Sequence, residues 1–278
     1  MISCSFFGGL GNNLFQLATV YNLHKKYGFE LSIPSYTDRG HIHIYGQSSR
    51  LELSELFDNE FIYNAHINKG LLNYTHSDVD LNQTNYTFSD IIKQDNVNYI
   101  GYFQSERYFP DIVPKNEFIL SKDEIEIVKN KYEKLFDKKN ISMHYRLGGD
   151  RTTEHMQHYH KNVSTDFYSK ALEQILDYNP DEYNILVFTD NPKLCKEILK
   201  DFKYNLIFID NNNNNVMDFV LMSLCDVNIV GNSTFSWWAA HLNQNDSPIV
   251  IVTESEWFGP GYKHFNLKDT FPESWIRL

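Results

Sequence analysis

Apolar positions in the second half of the chain switch repeatedly between short continuous runs and helical spacing. Asn140 to Arg146 reads as a strand, Thr165 to Tyr178 as a helix, and Tyr183 to Phe188 as an apolar strand. Pro192 sits where a first helical turn would open, and Leu194, Ile198 and Leu199 give Pro192 to Lys203 one apolar face before a strand from Tyr204 to Ile209. The asparagine run Asn211 to Asn215 follows and reads as too polar to pack. A helix from Val216 to Cys225, a strand Val227 to Val230, a helix opening near Ser233 and a strand Pro248 to Val252 continue the alternation. Such alternation predicts βα units, a parallel sheet and a Rossmann-like domain.

The first half opens in the same way. A strand from Ile2 to Phe7 leads through glycines into a helix with apolar residues at Leu14, Leu17, Ala18 and Tyr21, ending at Gly28. A short strand, Phe29 to Ile33, follows. From Pro34 to about Tyr99 the pattern weakens to polar stretches with isolated aromatics and assigns no elements. The charged segment Ser121 to Lys139 predicts a helix linking the halves.

Composition narrows the class. With 278 residues, 42% of them hydrophobic, and 20 Phe and 18 Tyr, the chain can bury a sizeable core and is not disordered. No stretch approaches the roughly 18 apolar residues of a membrane span. The 25 Lys+Arg against 36 Asp+Glu leave a net charge of −11, which argues against a nucleic-acid partner. Cys4, Cys195 and Cys225 are too scattered for a disulfide framework, and the amino terminus has neither a basic segment nor a long apolar run. The expectation is a cytoplasmic protein without a leader or membrane anchor.

Three segments carry candidate chemistry. Gly8-Gly9-Leu10-Gly11-Asn12 lies between a strand and a helix, where glycine lets backbone amides approach a ligand; a plain tight turn would look the same. As a dinucleotide fingerprint it fails, because Leu14 occupies the third glycine position and no carboxylate ends the next strand. His144-Tyr145-Arg146-Leu147-Gly148-Gly149-Asp150-Arg151 follows a strand, so Arg146 is a candidate phosphate ligand; an ion pair of Arg146 or Arg151 with Asp150 is the alternative. Asn232-Ser233-Thr234-Phe235 opens a helix directly after a strand, and either holds an anion or simply caps the helix. Trp237 and Trp238 read as core. His41, His43, His155, His158 and His160 match no zinc spacing, so no metal site is expected.

Taken together, Gly8-Gly9-Leu10-Gly11-Asn12 with Phe15-Gln16, Gly101-Tyr102-Phe103-Gln104-Ser105-Glu106-Arg107-Tyr108-Phe109, His144-Tyr145-Arg146, Phe188-Thr189-Asp190-Asn191 and Asp218-Phe219 through Ala240 resemble glycosyltransferase family 11, the α-1,2-fucosyltransferases. The resemblance runs from residue 8 to about residue 260. It implies an α/β, GT-B-like fold of two Rossmann-like domains facing a central cleft: residues 1–138 on the acceptor side and 139–278 binding the nucleotide sugar. It further implies an inverting, metal-independent transferase, without cofactor, that moves fucose from the donor substrate GDP-fucose to a glycan acceptor, at O2 of a galactose-like residue. Another activated deoxysugar as donor, or a non-catalytic binding protein on the same scaffold, is the alternative.

Carried over by position, the donor-binding residues are Gly9, Gly11, Asn12, His144, Arg146, Asp190, Asn232, Ser233, Thr234 and Phe235. The candidate catalytic residues are Arg146, Asp150 and Glu154. Leu147 stands where the family has a second arginine, and one extra residue displaces the acid to Asp150.

Overall fold

The computed structural model describes residues 1–32, 53, 55–59, 72–75, 88–176, 180–212 and 214–278. The chain divides into two units, Met1–Ser121 with His264–Glu273, and Lys122–Lys263 with Ser274–Leu278.

In the first unit, β1 (Ile2–Cys4) is wholly buried, and α1 (Leu10–Tyr27) buries Leu10, Leu14, Phe15, Leu17, Ala18, Val20 and Leu23. The helix stops at Gly28, whose φ of 71° is left-handed and whose amide donates to His24 O at 2.9 Å. The strand expected to run to Phe7 is shorter, and Ser5 leaves it while still donating to Tyr99 O. β2 (Leu72–Thr75) and β3 (Val97–Ile100) complete a parallel sheet of order β1-β3-β2. Of the strand expected at Phe29–Ile33, the described residues up to Ser32 form a bridge at Leu31, with Ile2 N donating to Glu30 O and Ser32 N to Ile2 O; Ile33 lies outside them. A short helix, α2 (Pro114–Glu117), lies near the end of the unit's main segment.

The second unit opens with α3 (Lys122–Lys131). The longer helix expected here breaks, and Glu133–Asp137 forms a tighter 3₁₀ turn. Side chains from the sheet then close off its end: Leu135 O accepts from both Asn140 Nδ2 (3.1 Å) and Asn184 Nδ2 (3.0 Å), as well as from Lys138 N. Then follow β4 (Lys139–His144), α4 (Glu154–Tyr159), α5 (Thr165–Leu176), β5 (Tyr183–Phe188), α6 (Pro192–Ile198), β6 (Leu206–Phe208), α7 (Asn215–Ser223), β7 (Val227–Val230), α8 (Thr234–His241), β8 (Ile249–Val252) and β9 (Ile276–Arg277). Asn191 caps α6 by accepting from Leu194 N, with Pro192 in its first turn.

All five strand pairings in this sheet are parallel, and the order is β6-β5-β4-β7-β8-β9. Numbered within the sheet that is 3-2-1-4-5-6, the doubly wound Rossmann order, with the switch point between β4 and β7. Ile141, Met143 and Tyr145 face the core with Phe167, Tyr168, Ile185, Val187 and Ile229. The strand period of two turns His144 to the opposite face.

The asparagine run is not simply polar spacer. Asn211 is buried, accepts from Lys131 Nζ and Tyr132 OH (both 2.6 Å) and donates to Asp218 Oδ1 (2.6 Å), while Asn214 caps α7 at Met217 N. An amide that both donates and accepts can join a cation, a phenol and a carboxylate at once, which composition alone does not reveal.

Candidate functional site

In a doubly wound sheet the ligand crevice lies outside the carboxyl ends of the strands at the switch point. Here that means the loops leaving β4 and β7. Gly231 makes their close approach possible: a Cβ on it would stand 2.6 Å from the backbone oxygen of His144 and 2.8 Å from the Tyr168 hydroxyl. Tyr168 OH donates to the same His144 oxygen at 2.7 Å.

His144 is buried and its Nδ1 meets Ser236 Oγ, in the first turn of α8, at 2.9 Å. Ser236 Oγ also donates to Ser233 O at 3.2 Å, so the proton of the His144 contact belongs to Nδ1. Burial pushes the imidazole down to about 3, and the nearby Arg146 and Arg151 charges act in the same direction against Asp190. His144 is therefore neutral at physiological pH and orients the helix start rather than carrying charge. Phe235 packs between the rings of His144 (5.9 Å) and Phe219 (5.4 Å).

Ser233 occupies the N-cap of α8 in extended conformation, yet its side chain makes no capping bond. The capping alternative is thus not realised by Ser233. Its amide is turned back onto Gly231 O at 2.8 Å, and Thr234, Phe235 and Ser236 supply the first amides of the helix, the positive end of its dipole.

Arg146 is half-buried just beyond β4, with Nη2 within 3.8 Å of the position a Cβ on Gly149 would take. Leu147, in place of a second arginine, is fully buried in the apolar core. The loop between them and the 3₁₀ turn Gly149–Arg151 is held by Asp190, whose Oδ1 accepts from Leu147 N (2.7 Å) and Gly148 N (2.8 Å). Asp190 lies two residues beyond β5, so it braces the Arg146 loop from the end of the neighbouring strand. Asp150 lies within the 3₁₀ turn. Glu154 opens α4 and is exposed, lining a shallow open groove with His155, Gln157, His158 and Pro260. The structure therefore brings His144, Arg146, Asp190, Asn232, Ser233, Thr234 and Phe235 to one end of the sheet.

Gly9, Gly11 and Asn12 belong to the first unit. Gly9 is the N-cap of α1, exposed, with nothing within 4 Å of a Cβ placed on it. Gly8 has a φ of 79°. Asn12 Oδ1 accepts from Gln104 Nε2 at 2.9 Å, and Gln16 Nε2 reaches Gly101 O at 3.2 Å, so the two amino-terminal motifs fold against one another. Asn13 and Gln16 also bind Phe7 O, closing the glycine turn.

Sequence reasoning missed the role of Arg151, which is buried with its guanidinium directed at Asn232, and that of Glu256, which accepts from Ser164 N (2.7 Å), Ser164 Oγ (2.6 Å) and Lys161 Nζ (3.3 Å). Among the described residues no group of three or more His, Cys, Asp or Glu is arranged to hold a metal, and no helix is long and apolar enough to cross a membrane. His41 and His43 lie outside the described residues. The three cysteines are free and buried.

A doubly wound unit with an arginine and an amide-lined helix start at its switch point is a nucleotide-ligand architecture. The particular class follows from comparison with known proteins. The family model for glycosyl transferase family 11 matches residues 1–278, and the chain belongs to that family, as the sequence motifs implied; it is a glycosyltransferase. It is 34% identical over 139 residues to the O-antigen biosynthesis glycosyltransferase WbnK of Escherichia coli, a match spanning 49% of this chain and 44% of that protein. It is 28% identical over 294 residues to an α-1,2-colitosyltransferase of Escherichia coli, spanning 98% of this chain and 96% of that one. In fold it is similar to the α-1,6-fucosyltransferase NodZ soaked with GDP-fucose, at a TM-score of 0.53 and 14% identity, covering 93% of this chain and 96% of that one.

Proposed function

We propose that the chain transfers fucose from GDP-fucose, with inversion, to a hydroxyl of a glycan acceptor, O2 of a galactose-like residue. The carrying observation is the Ser233 helix start, uncapped by its own hydroxyl, beside Arg146 at the switch point. Both features suit a diphosphate: the arginine as a two-pronged donor, the helix start as a set of oriented amides. The fold neighbour NodZ, soaked with GDP-fucose, supports the same donor. In the GT-B-like assignment the nucleotide-sugar domain is residues 139–278 and the acceptor-side domain residues 1–138.

In the reaction the acceptor oxygen attacks the anomeric carbon from the face opposite GDP. The carbon–oxygen bond to the β-phosphate breaks, and its electron pair leaves with GDP. Negative charge grows on the departing phosphate, where Arg146 and the amides of Thr234, Phe235 and Ser236 stabilise it; losing one such preorganised donor costs about 3 kcal/mol, a hundredfold or more in rate. The acceptor proton passes to Asp150, with Glu154 as the other carboxylate of the segment, or to the leaving phosphate itself. His144, neutral and bonded to Ser236, keeps the helix start in register.

A thermal-shift panel of GDP, UDP and dTDP with their sugars, followed by donor turnover, tests the reading. GDP and GDP-fucose raise Tm, and Arg146→Lys, which keeps the charge but loses the fork, loses most activity. Preference for UDP or dTDP refutes the donor, and near wild-type turnover in folded Arg146→Ala refutes the role of Arg146. The colitosyltransferase relative, matched over 98% of this chain, favours one second reading: colitose, itself a deoxysugar, as the transferred group. Side-by-side turnover of the two activated sugars decides between them.

A further inference from the structure

Arg151 is only 5% exposed, an expensive place for a permanent cation. Both of its terminal nitrogens donate to the same residue. Nη1 donates to Asn232 Oδ1, and Nη2 donates to the backbone oxygen of Asn232 at 2.7 Å. Nη1 also reaches Lys161 O at 3.3 Å. The other end of the same amide is fixed too, with Asn232 Nδ2 donating to Lys161 O (2.8 Å) and to Glu256 O (3.3 Å). Lys161 and Glu256 are themselves joined, and Gln157 Nε2 holds Arg151 O at 3.0 Å.

Asn232 is the residue immediately before the N-cap of α8. Gripping its carbonyl oxygen fixes the plane of the Asn232–Ser233 peptide, and with it the turn that aims Thr234, Phe235 and Ser236 amides outward. With both terminal nitrogens turned to Asn232, Arg151 acts on a bound anion from behind the helix start, through orientation and through its own charge. An apolar side chain of similar volume would fill the space with no desolvation cost, but would leave the carbonyl ungoverned.

We propose that Arg151 is the positioning residue of the donor diphosphate: it locks the β7–α8 turn through Asn232 and reinforces the positive end of α8, without touching the nucleotide. This rests on the donor reading above, and it adds a second arginine to the phosphate chemistry from a position outside the strand end.

The test compares GDP with guanosine, which lacks the phosphates, by calorimetric titration of wild type, Arg151→Lys, Arg151→Met, Asn232→Ala and the Arg151→Met/Asn232→Ala double variant, each with its Tm. Arg151→Lys weakens GDP binding by about tenfold, the size of one charge-assisted hydrogen bond, and leaves guanosine within about twofold. The double variant loses less than the product of the single losses, because both substitutions break the same clamp. Unchanged GDP affinity in a folded Arg151 variant, equal losses for GDP and guanosine, or fully multiplicative losses each overturn the assignment. If the Arg151 variants do not fold, Asn232→Ala alone decides: a GDP-selective loss supports the clamp and equal affinities refute it. A wild type that prefers UDP or dTDP refutes the donor reading alone, and the same comparison is then made with that nucleotide and its nucleoside.

Discussion

Replacing Gly231 by alanine probes the packing that brings the two strand ends together. The new Cβ would lie 2.6 Å from His144 O and 2.8 Å from Tyr168 OH, where ordinary contact begins at 3.4 Å. One side must therefore yield by about 0.8 Å, and neither is a flexible tip: one is backbone at the end of β4, the other a fully buried hydroxyl. Overpacking of this kind costs about 1–3 kcal/mol. Straining the 2.7 Å bond between Tyr168 OH and His144 O adds about 1 kcal/mol, since both groups are buried away from water. Gly231 has no left-handed φ, so backbone strain adds nothing.

A loss of about 2–4 kcal/mol lowers Tm by roughly 5–12 °C in a chain of this size. Differential scanning calorimetry reads it directly. Because the displaced group is His144, the 2.9 Å contact to Ser236 is disturbed as well, and GDP stabilises Gly231→Ala less than wild type. In a Gly231→Ala/Tyr168→Phe double variant the carbonyl is released from its partner and can move, so the combined loss is smaller than the two single losses together. A Gly231→Ala protein melting within about 2 °C of wild type, with GDP stabilisation intact, would refute the close-approach argument.

Gly9→Ala is the matched contrast: φ is −84° and nothing lies within 4 Å of the added carbon, so Tm stays put, and any loss of transfer activity reports a substrate approaching that turn. Asp218→Asn raises stability at neutral pH, because burial pushes the Asp218 carboxyl up to about 6 from 3.8. The sign follows from the raised value: the protonated group's stabilising contribution is complete below about pH 4 and is lost as pH rises through about 6, so denaturation of wild type and Asp218→Asn across pH 4–7.5 should diverge over that window, by up to about 3 kcal/mol. Parallel curves would remove Asp218 as the cause. On the proposed mechanism, in which Arg146 and the α8 amides stabilise the leaving phosphate, transfer activity survives excess EDTA; abolition by chelation with restoration by magnesium or manganese would overturn this.

The carboxyl-terminal half was legible because its central strands are continuous buried apolar runs, bounded by polar and turn residues. Tyr183–Phe188 and Val227–Val230 were read to the residue, and Pro192 marked its helix start. Boundaries failed where a side chain overrode the local pattern. The segment after Lys131 has good helical composition, yet it tightens to a 3₁₀ turn whose end is held by Asn140 and Asn184 at the Leu135 carbonyl. β9 is two residues long and owes its existence to pairing with Ile251 and Val252, a signal no window of sequence contains. Glu154–Tyr159 is a helix of six residues capped by Thr153, too short for an apolar period to show.

The candidate site was legible to the extent that its chemistry rests on strand ends. His144 and Arg146 follow β4, Asp190 follows β5 and Asn232 follows β7, and a parallel sheet delivers all of them to one edge once the order 3-2-1-4-5-6 is known. What a residue type could not reveal is how each side chain is committed. Ser233 reads as a cap but makes no capping bond, while Asp190 reads as a donor ligand and holds two backbone amides of the Arg146 loop. Arg151 reads as an ion-pair candidate for Asp150, and it is buried with its guanidinium on Asn232. In each case the deciding partner lies 40 to 90 residues away along the chain or is absent locally, so only tertiary packing assigns it. The strand-end rule therefore locates a ligand site from sequence, whereas the division between groups that touch a ligand and groups that aim them is written in long-range hydrogen bonds.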